Sequence, residues 1–310
     1  MSYQQEQTHF PSSDGKNQVA AYFHFSDNIA PKGIVQLSHG MVDYVRRYDE
    51  LSEALAAAGY VFCGNDHLGH GHTAQTAEDL GYFAPQGGVD FLLQDLHRMT
   101  ELAKSRFPGL PVTLLGHSMG SFLCRLYATR YGEELANIII QGTSGPNRLL
   151  PFAFGISALL RVCRGERYRS PLLQRLTLEN YNRRFGKSTP RAWLSRDTAS
   201  QEVYRNDPHA NFTFTVSAFV DLFTLLRECN RESWFAAYPK HLRTLLVSGA
   251  QDPVGTFGKG PLFVARQLWA HGAQDVQLKL YPGARHELFK EENKDAYFRD
   301  LITFLDGINE

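Results

Sequence analysis

One serine in this chain is set between two glycines at a point where an apolar run breaks. Residues 112–123 read VTLLGHSMGSFL, with Gly116-His117-Ser118-Met119-Gly120 at the break. A strand ending at Gly116 and a helix beginning near Met119 would leave a turn too sharp for side chains at 116 and 120. That turn would hold the Ser118 hydroxyl out at the end of a sheet. A serine hydroxyl is a poor nucleophile until a neutral imidazole takes its proton, and the imidazole needs an acid on its far nitrogen. Of twelve histidines, His286 in PGARHELF directly follows the apolar run VQLKLY, and Asp252 in AQDPVG directly follows TLLVSG. Each residue type that nucleophilic acyl transfer requires thus sits just beyond an apolar run. Chance also produces Gly-x-Ser-x-Gly, so the weight of the pattern rests on the elements around it.

Those elements alternate. Short apolar runs predict strands at QVAAYFHF, GIVQLS from Gly33, YVFCGN from Tyr60, VTLLG from Val112, NIIIQG from Asn137, TLLVSG from Thr244 and VQLKLY from Val276. Amphipathic stretches between them, such as YDELSEALAAAG, FLLQDLHRMTELAKSRF, SFLCRLYATRYG and the final NKDAYFRDLITFLDG, predict helices. The alternation implies an α/β fold, a mostly parallel central sheet with helices on both faces. Chemistry in such sheets collects at the carboxyl ends of the strands, where Ser118, Asp252 and His286 fall. Asp275 precedes its strand and belongs to the opposite edge. One connection is too long for a crossover. Residues 147–238 carry helical patterns of their own, PFAFGISALLRVC, SPLLQRLTLENYNRRF and TVSAFVDLFTLLREC. They read as an inserted helical cap on a core formed by residues 1–146 and 239–310.

Acyl transfer also needs donors for the oxyanion, whose charge builds only in the transition state. GIVQLS is followed by His39-Gly40-Met41, so the backbone N–H groups of Met41 and of Met119, the residue after the serine, are the candidates. The chain order Ser118, Asp252, His286 is the one used by hydrolases of this α/β architecture. Four separate stretches agree, and the sequence resembles the α/β-hydrolase superfamily. Within it, the chain is similar to the group holding monoacylglycerol lipases, bacterial lysophospholipase-like proteins and serine aminopeptidase-type hydrolases. The matching segments are SHGMVDYVRRYDELSEALAAAGY, NDHLGHGHT, LLGHSMGSF, NDPHANFTFTVSAFVDLF, LLVSGAQDPVG and LYPGARHELFKE, from about residue 33 to the C-terminus. The resemblance implies an α/β-hydrolase fold with Ser118, Asp252 and His286 as catalytic residues and an oxyanion hole at Met41 and Met119. Where relatives usually carry a Glu-His pair after the His-Gly, this chain has Asp43-Tyr44.

Asp66, His67, His70 and His72 in NDHLGHGHT put several nitrogen and oxygen donors into one loop, as a zinc site would. The resemblance makes this loop a structural turn, so neither a metal nor a cofactor is expected. Overall charge is balanced, with 32 basic and 32 acidic side chains, which gives no field for nucleic acid. The balance hides a polarity. Residues 146–238 hold fourteen basic and eight acidic side chains, a net +6, against −6 for the rest. Arg161, Arg164, Arg167 and Arg169 crowd into RVCRGERYR and suggest a basic cap surface that steers anionic substrate or meets an anionic membrane surface transiently. Cys63, Cys124, Cys163 and Cys229 form no C-x-x-C pair and read as reduced, buried thiols. With no basic-then-apolar segment at the N-terminus, a cytoplasmic location is expected. The nearly uncharged run at 149–160 is too short to span a bilayer. Together these features predict a serine hydrolase that cleaves carboxylic esters through an acyl-enzyme. The first substrate class is monoacylglycerol or lysophospholipid, since a capped, aromatic-lined site covers one acyl chain. A general carboxylesterase for short or aromatic acyl esters, a peptidase of the same family and a non-catalytic binding protein on the hydrolase fold are the alternatives.

Overall fold

The computed structural model describes residues 3–185 and 191–307; residues 186–190 of the expected insertion, and 1–2 and 308–310 of the expected core, lie outside the described residues. Among these, eight strands form one sheet: β1 (Tyr3–Pro11), β2 (Gln18–Ser26), β3 (Gly33–Ser38), β4 (Tyr60–Asn65), β5 (Val112–His117), β6 (Asn137–Gln141), β7 (Arg243–Gly249) and β8 (Val276–Tyr281). Their spatial order is β1-β2-β4-β3-β5-β6-β7-β8. From β4 to β8 all neighbours are parallel, while β1 and β2 pair antiparallel with each other and β2 with β4. β1 was not legible in the sequence. Its residues, YQQEQTHFP, contain no apolar run, because an edge strand needs only backbone pairing and β1 leaves most of its side chains partly or fully exposed.

Parallel strands must be covered on both faces, and period-two alternation does this here. Ile138 and Ile140 of β6 pack into one core, Ile139 into the other. Each fully buried isoleucine of this kind stabilises the fold by roughly 1.5–3 kcal/mol. The second core is closed by α1 (Asp49–Ala57), and the first by α2 (Gly88–Arg106) and α3 (Met119–Tyr131). Between β6 and β7 the chain runs through α4 (Leu150–Arg164), α5 (Pro171–Thr177), α6 (Thr198–Asn206), α7 (Val216–Glu228) and α8 (Glu232–Ala237). After β7, α9 (Lys259–Ala270) packs beside β8, and α10 (Lys294–Leu305) completes the second core next to α1.

The stretch between β6 and β7, read from the sequence as an insertion, joins the main core at α7 and faces outward at α4. Phe219, Leu222 and Leu225 of α7 share the first core with Leu92 and Leu123. By contrast, α4 exposes Phe152, Leu159 and Val162 to solvent. Cys163 follows Val162 on that outward side and is exposed, which corrects the expectation of four buried thiols; the other three are buried. The arginine cluster also differs from expectation. Arg161 donates to the Pro85 carbonyl (2.9 Å), Arg169 to the Glu78 carbonyl (2.9 Å), and Arg167 lies over the Tyr82 ring (3.7 Å), 3.7 Å from Asp79. Three of the four thus fasten the insertion to the 78–85 loop instead of forming a free basic face. Among the described residues no helix is long and apolar enough to cross a membrane.

Asp221 of α7 is the costly group at this junction. Its carboxyl is buried against Gly88 and Val89 in the first turn of α2, and burial pushes it up to about 7. A folded-state value above the usual carboxylate range of about 4 means the native state holds the proton more tightly. The stability so contributed is complete below about pH 4 and is lost as pH rises through about 7. Asp221→Asn, which cannot ionise, is therefore expected to melt on the order of 2–5 °C above the parent at pH 8, with the gap closing toward pH 5. Melting curves at the two pH values check this; a variant less stable at pH 8 would show that contact with the α2 N-terminus outweighs burial.

Candidate active site

Ser118 occupies the turn from β5 into α3 with φ 54° and ψ −119°, backbone angles that strain any residue with a side chain. The surrounding backbone imposes them. A Cβ at Gly116 would lie 2.5 Å from both Cys124 Sγ and the Gly120 carbonyl oxygen, and a Cβ at Gly120 would run into the Ser38 carbonyl at the end of β3. The Ser118 N–H donates to the Gln141 carbonyl at the end of β6 (3.0 Å), and its own carbonyl accepts from the Ser121 N–H (2.9 Å). The turn is thereby pinned to β3, β6 and α3 at once.

Asp252 follows β7 and His286 follows β8, as the sequence suggests, and the two meet: His286 Nδ1 lies 2.9 Å from Asp252 Oδ2. The carboxylate is held from behind by the Ser248 hydroxyl (3.2 Å) and the Val254 N–H (2.9 Å). Because a carboxylate only accepts, Nδ1 carries the proton and Nε2 keeps its lone pair. Both side chains are buried, and the imidazole sits between the His117 and Trp193 rings, at 4.8 and 5.1 Å between centroids. Asp275 pairs with Arg243 at the far edge of the sheet (3.1 Å).

Met41 and Met119 flank the serine. Met119 is the first residue of α3, so its N–H has no acceptor within the helix. In the loop after β3, the Gly40 N–H is directed to Asp43 (3.3 Å) and the Val42 N–H to His70 Nε2 (3.2 Å), which leaves the Met41 N–H between two engaged neighbours. This explains the histidines of NDHLGHGHT. His39 Nε2 accepts from the His67 N–H (2.9 Å), His70 Nδ1 donates to the Leu68 carbonyl (3.0 Å), and Asp66 accepts from the Val45 and His72 N–H groups (2.9 and 2.8 Å). Burial drives His70 down to about 3 and His67 well below its usual value, so both are neutral turn-builders. Among the described residues no group of three or more such side chains is arranged to hold a metal.

Sequence reasoning missed a buried charge network beside the histidine. Arg47 bridges Asp43 (2.7 Å) and Glu287 (2.8 Å), with all three side chains buried, and stacks over the Tyr204 ring of α6 at 4.2 Å. The Tyr48 hydroxyl donates to Asp43 (2.7 Å) and lies 2.8 Å from His117 Nδ1. Burial alone would raise the Asp43 carboxyl, but Arg47, followed by the His117 contact, holds it well below the usual carboxylate range. The available signals were the i, i+4 spacing of Asp43 and Arg47 and the adjacency of Glu287 to His286. The Asp43-Tyr44 departure has its own geometry, with Asp43 in this network and the Tyr44 hydroxyl donating to Asp207 of the insertion (2.6 Å).

Ser118, His286, Met41 and Met119 all line one cavity of about 640 Å³. Asp43, His117 and Glu287 add to its polar end; the rest of the lining is mostly apolar, with Phe152 and Ile156 of α4, Leu176 of α5 and Phe223 of α7 included. Asp252 stands behind His286. The site can therefore hold a carbonyl between a hydroxyl, an imidazole and two backbone donors, with an apolar chain running under the insertion.

The chain is similar to several known proteins. A monoglyceride lipase homolog of monkeypox virus is 26% identical over 281 residues, covering 89% of this chain and 90% of that protein. Human monoglyceride lipase is 25% identical, covering 96% and 89%. The crystal structure of a thermostable carboxyl esterase from Bacillus coagulans, in complex with glycerol, superposes with a TM-score of 0.91 at 29% identity, covering 99% of each chain. Residues 29–293 match the family model described as serine aminopeptidase, S33, and since that span is most of the sequence, the chain belongs to this family of α/β-hydrolases.

Proposed function

We propose that the protein hydrolyses carboxylic esters of one acyl chain, of the monoacylglycerol type, through an acyl-enzyme on Ser118. His286 takes the Ser118 proton and returns it to the leaving alcohol, Asp252 fixes the imidazole tautomer, and the Met41 and Met119 N–H groups hold the oxyanion. The observation that carries this reading is the 2.9 Å His286–Asp252 contact beside a strained serine turn on the wall of the same cavity. The two relatives named as monoglyceride lipases support the substrate class, and the apolar walls suit one chain. A carboxylesterase for shorter acyl groups is the second reading, favoured by the Bacillus coagulans structure.

The charge at the polar end bears on the leaving group. Asp43 and Glu287 line the cavity there, with Arg47 alone between them. Arg191 also lines the cavity, but its guanidinium donates to Ala210 and Asn211 and stacks on Tyr204. The lining itself thus holds two carboxylates against one guanidinium, which disfavours a phosphate, suits an uncharged polyol and favours monoacylglycerol over an anionic lysophospholipid. The exposed Leu149, Phe152, Leu159 and Val162, in an insertion of net positive charge, support contact of this face with a lipid surface from which such esters come. Three free thiols buried in the core fit a reducing, cytoplasmic setting.

Two measurements test this reading. Ser118→Ala is expected to lower kcat by about 10⁴-fold or more without unfolding the protein, and to abolish labelling by a fluorophosphonate probe. A variant that keeps a tenth of the parent's esterase activity would remove Ser118 from the mechanism. Against monooleoylglycerol and oleoyl lysophosphatidate, which share an acyl chain, kcat/KM is expected to favour the neutral ester by about tenfold or more. Equal or reversed preference would reject the argument from Asp43 and Glu287.

A further inference from the structure

One side chain holds the chain just before the insertion begins and again where it comes off α7. Arg125, in the middle of α3, is fully buried, and its described hydrogen bonds go to no carboxylate. Nη1 donates to the Ser144 carbonyl (3.1 Å) and approaches Thr143 Oγ1 (3.4 Å), just after β6 where the chain leaves the sheet. Nη2 donates to the Cys229 carbonyl and to Asn230 Oδ1 (3.2 Å), where the chain comes off α7 on its way back. The guanidinium lies 4.6 Å over the Trp234 ring of α8, whose Nε1 donates to the Arg125 carbonyl (2.7 Å). Arg125 Nε is buried without a partner.

A buried cation without a carboxylate is expensive, and an apolar side chain of similar volume would fill the space at lower cost. What methionine or leucine cannot do is bridge. The guanidinium fork presents donors in two directions at fixed separation, and the carbonyls ending α7 carry the partial negative charge of a helix C-terminus. Leu222, Phe223 and Leu226 of α7, Ser144 at the first root and Phe122 of α3 all line the cavity. The spacing of the two roots therefore sets how far the α7 wall stands from the helix that begins at Ser118.

We propose that Arg125 is a positioning residue that clamps both roots of the insertion to the serine's own helix and so fixes the width of the apolar end of the cavity. The kinetic part of this inference rests on the ester-hydrolase reading.

The test compares Arg125→Met and Arg125→Lys with the parent on p-nitrophenyl butyrate and p-nitrophenyl palmitate, alongside amide hydrogen exchange. For both variants KM for the palmitate is expected to rise about tenfold or more, while kcat and KM for the butyrate stay within about twofold. Exchange should quicken across α4 to α7 and not in α3. Lysine is expected to behave like methionine, because it keeps the charge but cannot span both roots. If Arg125 merely fills the core, methionine will match the parent on both esters and in exchange, which overturns the proposal. Equal losses on both esters overturn it too. Should Arg125→Met fail to fold, Asn230→Ala carries the same comparison, since Asn230 accepts from Arg125 and lies within reach of Ser144; it is expected to shift the palmitate KM in the same direction by a smaller factor, and a parent-like value rejects the clamp. Fluorophosphonate labelling of the parent keeps the two ideas apart: an unlabelled parent rejects the ester reading, while the exchange pattern still tests the clamp.

Discussion

Gly120 packs its backbone directly on the carbonyls of Ser38 and His39, and the reacting end of the molecule depends on that contact. It brings the end of β3 against the start of α3, so that Met41 after one and Met119 in the other stand on the same cavity wall as the serine between them. A side chain at Gly120 would push the start of α3 away from the end of β3. At this separation the chain passes from β5 into α3 through the strained Ser118 backbone. Strain at the serine and closeness of Met41 and Met119 to it are one constraint seen from two sides.

A loop brought so close needs its own support, and the surrounding polar groups supply it. The Gly40 and Val42 N–H groups are satisfied by Asp43 and His70, which fixes the peptide planes on either side of Met41. Asp43 is in turn held by Arg47, which reaches Glu287 beside His286. One buried guanidinium thus ties the loop after β3, which carries Met41, to the loop after β8, which carries His286. Removing it would leave two buried carboxylates uncompensated, a change that typically costs about 3–5 kcal/mol. The Tyr204 hydroxyl extends the tie to the insertion by donating to the Val42 carbonyl (2.9 Å). The insertion is therefore bonded directly to the loop that lines the polar end.

The sequence carried what repeats and hid what converges. Ile138, Ile139 and Ile140 announce a strand buried on both faces whatever the fold; Ser118 and Asp252 follow strands of that kind, and His286 follows the edge strand β8. Those features are local, so spacing and composition expose them. β1 carries no such signal, because its pairing with β2 is made by backbone and its side chains are polar. Glu287 and Arg47 lie 240 positions apart, and nothing in RRYDE or RHELF says that they meet. The histidines of NDHLGHGHT look like ligands in sequence; in space the His70 ring bonds two backbone groups, while the His67 and His72 rings meet the Ser38 and Tyr22 hydroxyls. Arg125 is the sharpest case. An arginine in SFLCRLYATRYG reads as the polar side of an amphipathic helix, yet α3 is buried on nearly all sides and its arginine is among the largest fully buried residues.

The opposed charges of insertion and body acquire a physical role from these placements. Arg167 meets Asp79, Arg196 meets Glu291 and Glu292, and Glu166 accepts from the Tyr82 hydroxyl. Most of these contacts are at least partly exposed, and pairs of that kind contribute only about 0–1 kcal/mol each. They are too weak to hold the insertion down one by one, but opposite net charge ensures that the two faces attract in one register and that like-charge registers are penalised. Strength resides elsewhere, in the apolar face of α7 and in the buried contacts of Arg125 and Arg47. The outer helix α4, with Phe152 and Val162 in solvent, packs its inner face on α7 through residues such as Leu150 and Phe154, whereas α7 is itself built into the core. The cavity accordingly has one wall that belongs to the body and one that rests on it, and the body's wall is the one that carries the serine.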